Sequence, residues 1–419
     1  MVSNHTPEYP RQEELFALDA PAFLKKVSIT NYRSIGEATL DLGRFTVLAG
    51  ANGAGKSNVV DVFRFVAEAL SLGLYAALER RAGIQAVRHR VPSRGGRQRT
   101  VRLAFELDLP RGMSADYSFT LISGARGAYR VGEEVLEMWS GGGDLFGKLK
   151  MRNGELQEKP LLLVSEPSVD QENLAEFFLP ASLKVGRESL ALPVVGTTPG
   201  FRPVLLALRE MRAYSIVPDL LREPQDSDEG RVLHVDGRNA TSVWRDLSPK
   251  DRGELIDLLG HAVPGIDDVR TQRYGRKRGF EFRQSSGAGR IMFEGHQMSD
   301  GTIRLFGILL ALLQPRSSSV IAIEEPEASL HIAALEALVA VMRERVDSGQ
   351  VLLTTHSPEL IDFVSPDELR LVRREDGNTI VAPVAEHSKQ AVLDDLFTLG
   401  ELHRAGGLRA TDEPLATPP

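Results

Sequence analysis

Residues whose types suit phosphate binding lie close together near the N-terminus. The sequence GANGAGKS, residues 50–57, matches the spacing G-x-x-x-x-G-K-[ST], in which glycines let backbone N–H groups approach phosphate oxygens. Lys56 can reach the β and γ phosphates, and the Ser57 hydroxyl can bind Mg²⁺. The pattern therefore predicts a site for ATP and Mg²⁺, although a glycine-rich turn with a surface lysine is an alternative. The residues predicted to contact the nucleotide here are Asn52, Gly53, Ala54, Gly55, Lys56, Ser57 and Asn58.

Two consecutive acids end an apolar segment far along the chain. The residues are Glu324 and Glu325, directly after the segment VIAI. A nucleotide hydrolase needs an acid at a strand end to order the ligands of Mg²⁺, and a second group that positions the attacking water. We predict that Glu324 acts through the metal and that Glu325 orients or deprotonates the water. The alternative is that both are solvated acids at the start of a helix, where the helix dipole favours them.

A histidine follows a second apolar segment. His356 comes directly after VLLTT and before Ser357 and Pro358. A lone histidine can be purely structural. If the VLLTT segment is a strand next to the one that carries the two acids, His356 lies just past its end. From there it can contact the γ-phosphate or the attacking water.

Alternating strands and helices must bring these residues together. An apolar strand ends at Leu48, before the phosphate loop, and a helix is predicted over 58–75. An apolar helix over 298–313 has Ser299 and Asp300 at its start, where they can cap it. A strand, an amphipathic helix and another strand carry the acids and the histidine. This order is typical of a parallel sheet with crossover connections.

The apolar and polar pattern of the rest of the chain predicts strands in some segments and helices in others. Three alternating segments, TVRLAFELDL, ADYSFTLIS and GAYRVGEEVLEM, predict antiparallel strands, and 268–295 also alternates. The segment EPSVDQENLAEFFLP, residues 166–180, is among those predicted to be helical. The predicted organisation is a flexible tail over 1–22, an N-terminal lobe over 23–150, a mostly helical insertion over 151–267, a C-terminal lobe over 268–408 and a flexible tail over 409–419.

Composition excludes several classes of site. The chain has no cysteine, which excludes disulfides, iron–sulfur clusters and thiolate zinc sites. Because it has neither an apolar run of 18 residues nor a signal-peptide pattern, we expect a cytoplasmic protein with no membrane partner. The net charge of −7 argues against a surface that binds nucleic acid throughout.

One segment is locally basic. The segment from Arg80 to Arg102 contains eight arginines, both ends included, together with His89 and no acid. Such a segment can contact the phosphates of DNA or RNA, or contact a partner chain. Charge runs are also common in solvated loops. DNA therefore stays open as a partner.

Four motifs in this order resemble the ABC-type ATPase heads of the RecF, SMC and OLD group. They are GANGAGKS, SDGT at 299–302, IEEPE at 323–327 and TTHSP at 354–358. The resemblance implies an α/β P-loop NTPase fold, with a mixed or parallel core sheet, an antiparallel β lobe and a helical insertion. It implies that the signature residues, here Ser299, Asp300 and Gly301, reach ATP bound to the opposite subunit, so that a homodimer sandwiches ATP.

Two further residues are compared with that pattern. The acid at the strand end is usually Asp, and Glu324 is one methylene longer. A glutamine of these heads senses Mg²⁺ and nucleotide, and Gln85 is the candidate.

The resemblance, together with what the sequence leaves out, predicts a function. Sustained heptads and a nuclease-like cluster of acids are both missing from the sequence. We expect an ATPase that acts as an ATP-gated dimeric switch on DNA or on a separately encoded effector, in DNA repair or antiphage defence. The alternative is a non-catalytic scaffold that senses ATP and dimerises with little turnover. A transporter ATPase fits the motif variants less well.

Overall fold

The computed structural model describes the chain from residue 22 to residue 412, with gaps. The described ranges are 22–89, 100–158, 161–165, 174–176, 183–226, 230, 232–286, 289–314, 318–345 and 349–412. Within these ranges the chain forms three sheets, with helices between them. None of the helices in these ranges is long and apolar enough to cross a membrane.

The largest sheet is antiparallel and comes from the N-terminal part of the chain. Its strands are β1 (Phe23–Tyr32), β2 (Ile35–Asp41), β4 (Thr100–Asp108), β5 (Ser114–Ser123), β6 (Tyr129–Trp139), β7 (Leu145–Arg152), β8 (Glu155–Leu156), β9 (Leu161–Ser165) and β10 (Leu174–Glu176). The order is β10-β9-β7-β6-β5-β4-β1-β2, and β8 pairs with β7. Apolar and polar residues alternate along β4, so one face of the sheet is buried. The three segments predicted to be antiparallel strands are confirmed.

One helix prediction is wrong in this sheet. Within the segment 166–180, the described residues Leu174–Glu176 form β10 and pair antiparallel with β9. Backbone hydrogen bonding to a neighbouring strand outweighs the weak helical periodicity there. β7 also crosses the predicted lobe boundary at residue 150.

The core sheet brings together strands from distant parts of the chain. Its strands are β3 (Phe45–Ala49), β11 (Arg212–Tyr214), β16 (Val320–Glu324), β17 (Gln350–Thr355), β18 (Leu369–Glu375) and β19 (Asn378–Pro383). The order is β11-β16-β17-β3-β18-β19, and all neighbours are parallel except β18 and β19. β3 and β17 are buried along their whole length, as their apolar sequences predict. The carboxyl ends of β3, β16 and β17 therefore meet at one edge.

A smaller antiparallel sheet lies in the C-terminal half. It contains β12 (Gln225–Asp226), β13 (Ile266–Tyr274), β14 (Lys277–Ser286) and β15 (Gly289–Glu294). The alternation over 268–295 predicts β13 to β15 correctly. Phe280 and Phe282 of β14 pack against Phe306 in a buried aromatic cluster with Trp244.

Helices cover the core sheet and connect its strands. They are α1 (Lys56–Leu72), α2 (Leu74–Glu79), α3 (Ile84–Val87), α4 (Leu192–Val195), α5 (Arg202–Arg209), α6 (Pro218–Arg222), α7 (Ala240–Asp246), α8 (Pro249–Ala262), α9 (Asp300–Leu313), α10 (Ile332–Arg345), α11 (Pro358–Ile361), α12 (Glu386–Leu393) and α13 (Leu399–Arg404). α1 starts two residues before its predicted start at 58, and it ends at Leu72 because Gly73 adopts a φ of 88°. The predicted cap of α9 is confirmed, since Ser299 Oγ accepts a hydrogen bond from Thr302 N at 3.2 Å.

The two predicted tails fall partly outside the described residues. Of the N-terminal tail only Ala22 is described, and it is buried. Within the predicted C-terminal tail, Ala410 is buried and forms a β-bridge with Val384, and residues 413–419 lie outside the described ranges.

Candidate functional site

The glycine-rich loop connects buried β3 to the N-terminus of α1. Gly53 and Gly55 adopt φ values of 79° and 109°, in the left-handed region that glycine enters at low cost. Gly55 is the N-cap of α1 and, having no side chain, makes no side-chain cap. The first N–H groups of α1 thus keep their hydrogen-bonding capacity, and with the helix dipole they favour an anion.

Lys56 is buried beside this loop. Its ammonium donates to the carbonyl oxygens of Gly50 at 2.7 Å and Ala51 at 3.1 Å. Burial lowers the pKa of Lys56, and the charges of three nearby glutamates oppose this effect. The lysine therefore lies within electrostatic range of the acids on β16 and just after it. A buried ammonium at an uncapped helix N-terminus fits a phosphate group.

The remaining loop residues differ in how exposed they are to solvent. Asn52 and Gly53 are exposed, Ala54 is buried, and the Asn58 amide donates to Ser34 Oγ at 2.6 Å. Ser57 is exposed at the first turn of α1.

Thr379, from the C-terminal part of the chain, packs against the glycine-rich loop and hydrogen-bonds to it. Thr379 of β19 is fully buried, and its hydroxyl donates to the carbonyl oxygen of Ala54 at 2.9 Å. The same hydroxyl lies 2.7 Å from Ser34 Oγ. A Cβ at Gly55 would collide with the Thr379 side chain, so glycine is required there for packing as well as for conformation. The sequence gives no signal for this contact.

The strand-end acid Glu324 meets the loop serine. A hydrogen bond from Ser57 reaches the Glu324 carboxyl group. Burial raises the pKa of Glu324, and the Ser57 hydrogen bond and the charge of Arg64 only partly offset this. Hydroxyl and carboxylate oxygens are ligand atoms that suit Mg²⁺, and here they lie side by side. Ser57 and Glu324 therefore fit the predicted metal.

Glu325 and His356 lie opposite each other at the carboxyl edge of the sheet. Glu325 has a φ of 45°, and its backbone N–H donates to the carbonyl oxygen of Thr354 at 3.0 Å. Nδ1 of His356 lies 3.5 Å from Glu325 Oε1. Both side chains are partly exposed, which leaves them open to a bound ligand. The structure therefore brings together two residues predicted from separate segments.

A third acid, Glu327, was not predicted to have a role. Its side chain is only 8% exposed, and Oε1 accepts hydrogen bonds from Thr355 Oγ1 at 2.7 Å and from the His356 backbone N–H at 3.2 Å. Oε2 is buried without a hydrogen-bond partner in the described part of the chain. Glu327 therefore fixes the backbone that carries His356. Its position two residues after Glu325 was the only available signal.

The predicted signature residues lie at the start of α9. Ser299 and Asp300 are exposed, and Asp300 pairs with Arg222. Gly301 is buried against the turn after β16, where a Cβ would collide with the carbonyl oxygen of Ser329. Ser299 Oγ lies 2.8 Å from Thr302 Oγ1 of its own helix turn. The exposed Ser299 and Asp300 can thus face a second molecule.

Gln85 lies on α3, beside the antiparallel sheet. Its amide donates to Ser123 Oγ at 3.1 Å, at the end of β5. This contact ties Gln85 to that sheet, and its role in sensing the metal stays a prediction.

The arginine-rich segment is described only in part. Arg81 is buried and pairs with Asp61 and Glu68, and Arg80 also pairs with Glu68. Arg102 is exposed on β4. Arg90, Arg94, Arg97 and Arg99 lie outside the described residues, so contact with DNA phosphates stays a prediction.

Asp61 is the centre of this charged cluster. Its carboxylate pairs with Arg33 at 2.9 Å, Arg64 at 3.1 Å and Arg81 at 2.8 Å. It also accepts a hydrogen bond from the Tyr32 hydroxyl at 2.7 Å. This cluster fixes α1 against the turn after β1.

A family model matches the two parts of the chain that carry this site. The model is described as "AAA domain, putative AbiEii toxin, Type IV TA system", and it matches residues 45–162 and 216–362, more than half of the chain. The second range includes the signature residues, the acids and His356. A search of curated proteins found no match.

Two solved structures are similar to the chain. The first is an "SmcHead bound to the C-winged helix domain of ScpA", at 14% identity and a TM-score of 0.52, covering 88% of this chain and 99% of that one. The second is a Pyrococcus furiosus Smc head domain with an extended coiled coil, bound to the C-terminal domain of ScpA; it has 12% identity and a TM-score of 0.52, covering 90% of this chain and 99% of that one. The similarity confirms the predicted P-loop ATPase head fold.

Proposed function

The chain belongs to the AAA-domain family whose model it matches, and on that premise we propose that it is an ATP-gated switch whose two copies close around ATP. The closed dimer acts on DNA or on a separately encoded effector. The observation that carries this proposal is the meeting of Lys56, Ser57, Glu324, Glu325 and His356 at one edge of the core sheet.

The loop and α1 would hold the triphosphate. Backbone N–H groups of the loop would bind phosphate oxygens, and Lys56 would leave its own carbonyl partners to pair with the β and γ phosphates. Ser57 and Glu324 would hold Mg²⁺. Mg²⁺ in such a site neutralises charge that develops on the phosphate oxygens.

Glu325 and His356 would act on the attacking water. In its ionised form, Glu325 can accept a proton from the water or orient it. The imidazole of His356, 3.5 Å from Glu325, can hold that carboxylate in place or donate to the γ-phosphate. Glu327 would act through His356, since it accepts hydrogen bonds from the backbone at that position.

The exposed signature residues support the dimer. Ser299 and Asp300 face away from the core at the N-terminus of α9, where a second copy could present a γ-phosphate. Both similar heads are bound to a domain of ScpA, which supports a partner in trans for this chain.

One observation favours the alternative of a scaffold with little turnover. Burial raises the pKa of Glu324 and so disfavours the charged form that would bind Mg²⁺, and the side chain is one methylene longer than the usual Asp. Phosphate release by the wild type and by Glu325→Gln distinguishes the two functions. The switch requires a wild-type rate far above that of the variant, whereas the scaffold gives equal rates.

The same phosphate-release assay tests whether DNA or a separate effector protein is the partner. Adding duplex DNA, or the co-purified product of a neighbouring gene, should change the wild-type rate. A rate that responds to neither would contradict the proposed coupling to DNA or to that effector.

A further inference from the structure

The first turn of α9 packs, within the same chain, on the turn that follows β16. Gly301 is buried there, and a Cβ on it would collide with the carbonyl oxygen of Ser329. The same Cβ would lie 3.6 Å from Cδ2 of Leu330, so the half-buried leucine side chain also reaches this end of α9. Helix and turn therefore meet without space for a side chain between them.

This turn, called the acid turn and comprising residues 325–330, begins with the proposed water-positioning acid. The Ala328 N–H donates to the carbonyl oxygen of Glu325 at 3.2 Å, and the Leu330 N–H donates to that of Glu327 at 3.0 Å. The two hydrogen-bonded segments overlap along the chain. A displacement at Ser329 or Leu330 is therefore transmitted to Glu325.

The acid turn has a backbone conformation that only its surroundings can maintain. Glu325 and Ser329 adopt φ values of 45° and 65°, which are unfavourable for residues with a side chain and persist where packing and hydrogen bonds hold them. Thr354 holds the first of these residues, because its carbonyl oxygen and its hydroxyl both accept from the Glu325 N–H, at 3.0 and 3.2 Å. The close approach of Gly301 limits the movement of the second.

The end of α9 that touches the acid turn is also the end that faces solvent. Ser299 and Asp300 are exposed, and they directly precede the buried Gly301. Arg222 of α6 pairs with Asp300 and donates to the carbonyl oxygen of Met298 at 2.9 Å. A ligand that binds the exposed residues can therefore shift the helix end that packs on the acid turn.

We propose that Ser329 and Leu330 are positioning residues through which α9 sets the place of Glu325 in the same chain. This inference rests on the proposed function, because it requires Ser299 and Asp300 to contact ATP held by a second copy. Each copy then aligns its own water-positioning acid when its α9 engages the partner's ATP. Turnover at one glycine-rich loop thereby depends on the nucleotide at the other.

Turnover and ATP affinity of single variants give the first test. Leu330→Ala removes packing between the acid turn and α9, so turnover should fall about tenfold or more at unchanged ATP affinity, because a small misplacement of a reacting group is costly. Leu330→Met keeps most of the volume and should retain most of the rate. Ile332→Ala, 54% exposed at the start of α10, is the matched control and should equal the wild type.

Two results of this first test would contradict the inference. One is a wild-type rate in Leu330→Ala, which would show that Glu325 does not depend on this packing. The other is a parallel loss of ATP affinity and turnover, which would show a general structural role.

Mixed dimers separate an effect within one chain from an effect on the partner. Glu325→Gln with an affinity tag captures an untagged chain in the presence of ATP and Mg²⁺, and phosphate release is measured on the captured pair. The tagged chain lacks the acid, so turnover comes from the untagged chain. Captured wild type should release phosphate. Captured Gly301→Ala and Leu330→Ala should not, although each faces an intact α9 of the tagged chain.

The mixed dimers also give the decisive contrary results. Phosphate release by captured Gly301→Ala at the rate of captured wild type would show that Gly301 acts only on the partner's ATP, and would overturn the inference. If Gly301→Ala is not captured, Leu330→Ala decides. Capture of the wild type but not of Leu330→Ala would assign the contact to dimer formation and overturn the inference too. A wild type that releases no phosphate, alone or captured, would instead defeat the proposed function.

Discussion

Nδ1 of His356 lies 3.5 Å from Oε1 of Glu325, although the two residues belong to different strand ends and are far apart in the chain. Parallel pairing of β16 with β17 produces this arrangement, because Glu324 lies opposite Thr354 in the register. The same pairing lets the Glu325 backbone N–H donate to Thr354. Sheet register therefore sets the distance between the proposed water-positioning acid and its histidine.

Glu325→Gln should retain ATP binding and lose turnover. The amide has nearly the shape of the carboxylate but cannot accept a proton, so the rate should fall by about 10²-fold or more. Phosphate release and nucleotide affinity are measured on the same preparation. Lys56→Ala, which removes the cation at the loop, should instead lose most of its ATP affinity. Equal losses of affinity in the two variants would contradict these separate roles.

Glu327→Ala should slow turnover while ADP affinity stays near that of the wild type. The substitution removes the acceptor of hydrogen bonds from Thr355 and from the His356 backbone. His356 should then lose its fixed position, and the rate should fall by about tenfold, as expected for the loss of one such hydrogen bond. Glu336→Ala, on the exposed face of α10, is the control. Unchanged turnover in Glu327→Ala would show that the histidine does not need this support.

Thr379→Val should weaken binding of both ATP and ADP. The substitution keeps the size of the side chain but removes the hydroxyl that donates to Ala54, leaving that carbonyl oxygen without this partner. The free energy of unfolding should fall by about 1–3 kcal/mol, the cost of one buried unpaired group. Urea unfolding and nucleotide titration measure the two effects. Thr39→Val, at an exposed site on β2, should change neither quantity.

Asp61→Asn should destabilise the protein in a way that depends on pH. Burial alone would raise the pKa of Asp61, but the hydrogen bond and charge of Arg81, with the charge of Arg33, outweigh burial and lower it. Removing the buried charge partner should cost about 3 kcal/mol at pH 7. Because the folded pKa is the lower one, the stabilisation from Asp61 is full above pH 4, roughly the unfolded pKa, and is lost as pH falls through the folded pKa.

Unfolding by urea at several pH values measures this effect. The difference in unfolding free energy between wild type and Asp61→Asn should shrink below about pH 4 and stay constant above it. Asp257→Asn, at an exposed position on α8, should show no such difference. A difference that is constant down to low pH would contradict an ionised Asp61 in the folded protein.

Local patterns in the sequence predict most elements that carry the site. The glycine spacing at 50–57, the cap at Ser299 and the apolar strand before Glu324 each depend on neighbouring residues, and the structure has the predicted elements at all three. The helix predicted over 166–180 is wrong where it is described. There pairing with the neighbouring strand β9 determines the conformation, and the helical spacing of apolar residues does not.

Supporting contacts could not be predicted, because they join residues far apart in the chain. Thr379 and Ala54 are 325 positions apart, and their hydrogen bond depends on where β19 lies beside the loop. Thr379 belongs to no motif, so only the folded chain identifies it.

Light scattering of Glu325→Gln, with and without ATP and Mg²⁺, measures whether ATP closes the dimer. We expect a mass of 46.0 kDa without nucleotide and twice that mass with ATP, since hydrolysis no longer reopens the dimer. Lys56→Ala should keep the single-chain mass in both conditions, because it does not hold ATP. The same mass for Glu325→Gln with and without ATP would contradict the ATP-gated dimer.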